Sequence, residues 1–242
     1  MLKDKTGEAV PSVNFIMRSN DDWVTRNTDD IFANKTVVVF SLPGAFTPTC
    51  SSTHLPRYNE LAKTFANNGV DEIVCLSVND TFVMNAWAAD QEADNISLIP
   101  DGNGEFTEAM GLLVDKKEIG FGKRSWRYSM LVKNGVIEKM FIEPNKPGDP
   151  FEVSDADTML NFINSEAKAP DDITIFTKSG CPFCAKAKSM LKENGLSYEE
   201  VMLGSAIKLK GLRAVTGETS VPQIFINGTH IGGSEQLANY LS

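Results

Sequence analysis

One pattern of apolar runs and turns occurs twice along this chain, and each time a cysteine follows the first turn. The first copy opens with KTVVVFSL (35–42), ended by Pro43 and Gly44; the second opens with ITIFTKSG, directly before Cys181. A short β-branched run that meets turn residues predicts a buried strand. In the first copy a helix is expected next. Pro48 suits a first helical turn, Tyr58, Leu61, Ala62 and Phe65 repeat at helical spacing, NNG closes the segment at Gly69, and Pro56 is expected to kink it. DEIVCLSV (71–78) then completes a βαβ unit, and FVMNAWAADQ (82–91) reads as another helix. RYSMLVKNGVIEKMFIE (127–143) holds two β-rich runs around Asn134-Gly135, a strong hairpin signal. SDADTMLNFINSE (154–166) is a helix with Ser154 as its expected N-cap and Asp157 three residues on.

The second copy repeats the order. CPFCAKAKSMLKENG places Cys184, Ala187, Met190 and Leu191 on one helical face, with Gly195 as its stop. LSYEEVML is a strand, SAIKLKGLRAVTG a helix, PQIFINGTHI a hairpin around Asn227-Gly228, and a last helix follows GGS. The reading is therefore an α/β chain of two domains, 1–164 and 172–242, joined by the polar linker 165–171. In each, a sulfur stands at a helix start, where unpaired N–H groups and the helix dipole favour a thiolate.

Length and composition agree with this division. At 242 residues the chain is long enough for two domains, and 42% hydrophobic with 23% charged residues is ordinary for a soluble protein. No run of about 18 apolar residues could span a bilayer. The opening MLKDKTGEAVPSVNF lacks the apolar core of a secretory signal, so a cytoplasmic location is expected. A net charge of −9 argues against a nucleic-acid partner. In a reducing compartment Cys50, Cys75, Cys181 and Cys184 read as catalytic or metal-binding sulfurs. Zinc fits poorly, because there is one CxxC pair and His54 and His230 lie far from it.

Only a thiolate attacks peroxides or disulfides, and a free thiol has a pKa of about 8.5, so a working cysteine needs a site that stabilises its charge. For Cys50 two readings stand: a nucleophile at the helix start with Thr47 able to donate to it or to an incoming oxygen, or a small buried loop residue. His54, one turn on, is either a packing residue or a base. Cys75, in the middle of a strand, reads as an inert core thiol. CxxC after a strand is the thioredoxin-like redox pattern, with Cys181 at the N-cap, Pro182 at the first helical position and Cys184 one turn in.

PGAFTPTCS resembles the Pro-x-x-x-Thr-x-x-Cys signature of peroxiredoxins, carried by Pro43, Thr47 and Cys50, and THLPRY, LSVND, FVMNAW and RYSM are similar to the subgroup with glutaredoxin-linked members. The resemblance covers roughly residues 5–165. It implies that Cys50 is the peroxidatic nucleophile, that Thr47 and Pro43 shape its pocket, that Arg127 completes it, and, as the alternative to an inert core thiol, that Cys75 is a resolving cysteine like that of some relatives. A guanidinium suits that role because it keeps its proton and can hold charge on the departing oxygen. Arg124 is the rival, expected on one strand with Arg127 to face the other way and stay solvated.

TKSGCPFC and TSVPQIFINGTHIGG resemble glutaredoxin over residues 170–242. That resemblance implies that Cys181 is the attacking thiol, that Pro222 is a cis proline, and that Lys178, Thr219, Val221, Gly233 and Ser234 help seat glutathione. Two departures are visible: Phe183 stands where the family usually has tyrosine, and GGSEQ replaces the common GGCDD, with Ser234 expected as an N-cap and Glu235 as the one retained acid. Together the two resemblances imply two thioredoxin-like domains, each a central mixed sheet flanked by helices. They imply a glutathione-dependent peroxidase for hydrogen peroxide and alkyl hydroperoxides, with glutathione as co-substrate, no resident cofactor, no metal, and a homo-oligomeric state, dimer or tetramer. A general glutathione-disulfide oxidoreductase and a glutathione-held iron–sulfur carrier are the competing readings.

Overall fold

The β-branched run at 36–42 is apolar on both of its faces, and it needs a protein layer on each side to cover it. The computed structural model, which describes residues 2–19, 22–204 and 207–241, supplies those layers within the first of two units, Met1–Lys168 and Ala169–Ser242.

The first unit begins with an antiparallel hairpin, β1 (Asn14–Ser19) and β2 (Asp22–Asn27), then α1 (Thr28–Phe32) and β3 (Thr36–Leu42). Asn27 and Asp30 cap α1 reciprocally, each side chain accepting from the other's backbone N–H at 2.8 Å. After β3 come α2 (Leu55–Glu60), α3 (Ala62–Asn67), β4 (Glu72–Ser77), α4 (Thr81–Asp90), β5 (Ser97–Pro100) and α5 (Glu105–Ala109). A small ribbon, β6 (Leu113–Asp115) with β7 (Lys123–Ser125), precedes β8 (Tyr128–Lys133), β9 (Val136–Ile142) and α6 (Ala156–Ile163). The sheet order is β5-β4-β3-β8-β9, with β3, β4 and β5 parallel and β8 and β9 antiparallel to their neighbours.

Alternation along β3 divides the core. Val38, Phe40 and Leu42 join Cys50, Tyr58 and Trp87 on one face, while Val37 and Val39 join Ile99, Phe106 and Met130 on the other. Each such side chain contributes roughly 1.5–3 kcal/mol by leaving water.

The second unit is smaller: β10 (Ile173–Thr177), α7 (Pro182–Glu193), β11 (Glu199–Met202), α8 (Leu209–Thr216), β12 (Gln223–Ile226), β13 (Thr229–Gly232) and α9 (Ser234–Tyr240). Its sheet runs β11-β10-β12-β13, with β10 and β11 parallel and the others antiparallel. Ile173, Ile175, Ala187, Leu191, Ile224, Ile226 and Leu237 form its core. Both units are mixed sheets flanked by helices on one plan: a parallel βαβ, an antiparallel hairpin and a closing helix. The first unit adds β1, β2 and α1 in front and inserts β5 through β7, none of which the sequence patterns announced. Both hairpins turn as expected, with φ of 46° and 76° at Asn134-Gly135 and 50° and 75° at Asn227-Gly228, the left-handed pair that a two-residue turn requires.

Three local expectations change. Ser154 is not the cap of α6: the carboxylate of Asp155 accepts from Thr158 N–H at 2.9 Å, and the Ser154 hydroxyl is drawn inward to Glu143 at 2.8 Å. The long helix after Cys50 opens as a π-helical turn, Cys50–His54, before α2. Pro56 has no N–H and would clash with the carbonyl four residues back, and Leu55 N–H instead reaches five residues back to Cys50 O. Within the helix expected over SAIKLKGLRAVTG, α8 spans Leu209–Thr216, and Ser205 and Ala206 lie outside the described residues. No helix among the described residues is long and apolar enough to cross a membrane.

Candidate active sites in the two units

Because β8 runs antiparallel beside β3, with Tyr128 opposite Ser41, the residue just before β8 lies beside the end of β3. That residue is Arg127. The chain leaving β3 turns through Pro43-Gly44, and the N–H of Ser51 closes the first helical turn onto Thr47 O at 3.0 Å, so the amides of Thr49 and Cys50 precede the first helical bond. Cys50 has no exposed surface, and Arg127 is 1% exposed.

Arg127 Nη1 lies 3.5 Å from Cys50 Sγ and 3.0 Å from His54 Nδ1. Its Nη2 donates to the Asp149 carboxylate, and its guanidinium lies 5.4 Å from the Phe151 ring centre. Burial works against the Arg127 charge, but Asp149 and Cys50 outweigh it and raise the pKa above the ordinary value.

A guanidinium can only donate, so Nδ1 of His54 is the acceptor, and the ring proton sits on Nε2, which donates to Ser154 O at 3.2 Å. Burial first, and the Arg127 charge second, lower the His54 pKa from 6.5 to about 3 against the opposing pull of Ser154. His54 is thus neutral at physiological pH with its lone pair committed to Arg127. It positions that cation and has nothing left with which to take a proton from Cys50.

Thr47 and Arg124 both depart from expectation. The Thr47 hydroxyl donates to Gly44 O at 2.8 Å, not to the sulfur, which leaves its oxygen lone pairs as acceptors. Arg124 is not a solvated side chain: it is half-buried, donates to Val78 O, and lies 5.9 Å from the Phe121 ring centre. The assumption of a shared strand fails, since Arg124 belongs to β7, paired with Val114, and β8 begins only at Tyr128. Cys75 stands opposite Phe40 in β4, fully buried, and burial with the neighbouring Cys50 pushes its thiol well above the ordinary value. It is a core thiol with no cation among the described residues to activate it.

Pro43, Thr47, Pro48 and Thr49, the stretch before Cys50, line a cleft of about 720 Å³ whose other walls include Trp126, Phe121 and the loop 145–149. Sequence reasoning missed that loop. Glu143, 1% exposed, accepts from the N–H groups of Glu152, Val153 and Ser154 and from the Ser154 hydroxyl, all at 2.8–2.9 Å. The loop so anchored supplies Asp149 and Phe151 to Arg127, and Ser154 O to both His54 and Tyr58. The only available signal was two carboxylates within the Pro/Gly-bearing EPNKPGD.

In the second unit Cys181 is the N-cap of α7, with Pro182 behind it; its sulfur accepts from Cys184 N–H at 3.1 Å. The two cysteines are joined as a disulfide with a Cα–Cα distance of 5.3 Å, Cys184 being buried. Cys181 Sγ lies 3.6 Å from Val221 O, beside the cis peptide Val221–Pro222. Val221, Pro222, Gly233 and Ser234 line a groove of about 390 Å³ together with Phe183, Glu218 and His230. Lys178 and Thr219 are exposed and are not among its lining residues. Ser234 is the first residue of α9 and not its cap, which is Gly233; the Gly233 N–H donates to the Gln236 side chain at 2.9 Å.

Comparison with known proteins follows the same division. The Redoxin family matches residues 5–160, and the Glutaredoxin family matches residues 173–231. Hybrid peroxiredoxin hyPrx5 of Haemophilus influenzae is 64% identical over 241 residues, covering 100% of both chains. Peroxiredoxin sll1621 of Synechocystis is 57% identical, over 68% of this chain and 94% of its own. Among solved structures, reduced Prx3 of Vibrio vulnificus in complex with hydrogen peroxide has a TM-score of 0.63 at 41% identity, over 66% of this chain and 99% of its own. The 1-Cys peroxiredoxin of Plasmodium falciparum has a TM-score of 0.64 at 34% identity, over 67% and 100%.

Proposed function

This chain belongs to the redoxin family as a peroxiredoxin with a glutaredoxin domain fused behind it, a thiol peroxidase, and we propose that it draws its electrons from glutathione through Cys50 and Cys181. The observation that carries the reading is the Arg127 guanidinium 3.5 Å from Cys50 Sγ. The sulfur attacks the nearer oxygen of the peroxide, the O–O bond breaks, and the departing oxygen leaves as water or an alcohol after taking a proton. Arg127 holds the charge that develops there, and Thr47, its own proton engaged by Gly44, accepts from the protonated peroxide oxygen. Pro43 shapes the approach from the cleft.

The sulfenic acid of Cys50 then condenses with glutathione, giving a mixed disulfide and water. Cys181 attacks the glutathione sulfur and releases Cys50, and a second glutathione frees Cys181 as oxidised glutathione. Val221, Pro222, Gly233 and Ser234 seat the glutathionyl group, its cysteine portion pairing with the backbone at Val221 as an added strand. A reducing, glutathione-rich compartment such as the cytoplasm is where this cycle runs.

The test is NADPH oxidation by the full chain with hydrogen peroxide, glutathione and glutathione reductase. Activity is expected, and it is lost in Cys50→Ser; undiminished turnover in that variant would overturn the assignment. A second reading, a dithiol disulfide reductase, is favoured by the Cys181–Cys184 bond. It requires Cys184 for turnover, whereas the glutathione route does not.

A further inference from the structure

The cleft before Cys50 is far larger than hydrogen peroxide, a molecule of two heavy atoms, requires; at about 720 Å³ it falls in the range of sites for small organic ligands. Its charges are unevenly spent. Asp149 is committed to Arg127, Lys146 to Glu152 and Asp115 to Lys117. Among the described residues, Lys116 and Glu118 form no ion pair, although both line the cleft. The Lys116 ammonium is held 4.9 Å from the centre of the Trp126 ring, which fixes a half-buried cation on the cleft wall without neutralising it. The remaining lining includes the apolar surfaces of Pro43, Ile119, Phe121 and Trp126, and Thr47, Pro48 and Thr49 bring the wall to within one residue of the reacting sulfur.

We propose that this cleft is a glutathione subsite of the peroxiredoxin unit, in which Lys116 takes a carboxylate of the tripeptide and Glu118 its ammonium, so that its thiol is presented to the Cys50 sulfenic acid. The proposal rests on glutathione being the reductant. An unfilled cation and an unfilled acid on one apolar wall match a zwitterionic peptide; an alkyl hydroperoxide would use the wall and neither charge. The reaction served is Cys50–SOH with glutathione thiol: the S–S bond forms, the S–O bond breaks, and the hydroxyl leaves as water with the thiol proton.

The experiment uses the full chain carrying Cys181→Ser, so that the adduct on Cys50 accumulates. One equivalent of peroxide is followed by rapid mixing with glutathione or with uncharged 2-mercaptoethanol, and the adduct is counted by mass spectrometry. The rate is expected to saturate with glutathione and to remain linear with 2-mercaptoethanol. Lys116→Glu should lower the ratio of the two rate constants about tenfold, and Glu118→Lys should lower it by a smaller factor. Both residues are on or beside an exposed turn, Lys117–Ile119, and melting curves check that the variants fold. An adduct that forms without saturation and with the same ratio in the variants would overturn the subsite while leaving the glutathione cycle intact. A charge effect seen with cumene hydroperoxide and absent with glutathione would instead make the cleft an oxidant pocket and overturn the proposal. No adduct from glutathione at any concentration would overturn the cycle itself, and the subsite with it.

Discussion

The two sulfurs on the same strand–turn–helix plan are served in opposite ways. Cys50 is fully buried and meets a cation brought from 77 residues away, which is itself held by a histidine, an aspartate and a phenyl ring from two other stretches of chain. Cys181 is half-buried, and the groups that touch its sulfur are its own helix, Cys184 and the carbonyl of Val221. In the proposed cycle one fold thus runs a step that demands charge stabilisation on a leaving oxygen and a step that demands only exchange between sulfurs. O–O cleavage needs an arranged cation; thiol–disulfide exchange needs access and a leaving sulfur.

The sharpest way to break this contrast is to remove a cation from each unit. Arg127→Met should slow single-turnover oxidation of Cys50 by roughly 10²–10³-fold, the usual cost of losing a preorganised donor at developing charge. Lys178→Met should change glutaredoxin turnover by less than about threefold, as expected of an exposed charge. Comparable losses in both would erase the distinction.

Asp149 refines it. Asp149→Ala should slow peroxide oxidation about tenfold by freeing Arg127 Nη2, while Asp149→Asn, which keeps an oxygen acceptor, should recover most of the rate. A rate unchanged in Asp149→Ala would mean that His54 and burial alone hold the guanidinium.

The next effect is on stability. Folded His54 stays neutral down to about pH 3, whereas an unfolded histidine takes a proton near 6.5. Between those values the unfolded state binds more protons, so stability present above pH 6.5 is lost as pH falls through the window, on the order of 4 kcal/mol at its lower end. Urea titrations of His54→Gln, whose amide can serve Arg127 and Ser154 without titrating, should give a flatter pH profile than wild type. Equal slopes would remove His54 as the cause.

Smallest of all is Cys184→Ser, which should keep most of the glutathione-coupled turnover because in the proposed cycle Cys181 alone carries the exchange. A loss as large as that in Cys181→Ser would sharpen the second unit into a dithiol reductase.

Much of this was legible along the chain. The β3 run, the Asn-Gly hairpins, the Pro-bearing helix starts and the placement of Cys181, Pro182 and Cys184 depend on backbone geometry set by residues within a few positions of each other, so a linear reading finds them. The choice between Arg124 and Arg127 was framed on a shared strand that does not exist, because the break between β7 and β8 is imposed by pairing with Val114 and Ser41, distant in sequence. Likewise the Ser154 carbonyl matters only because Glu143 ties down the residues around it.

Residue order alone thus settled where each sulfur stands relative to its own helix, since that is a matter of local propensity and capping. What surrounds Cys50 was decided only when antiparallel pairing of β8 with β3 and the anchoring of the 143–154 loop brought Arg127, His54 and Asp149 together. Those contacts join residues up to 100 positions apart, and no local preference encodes a distance across a core.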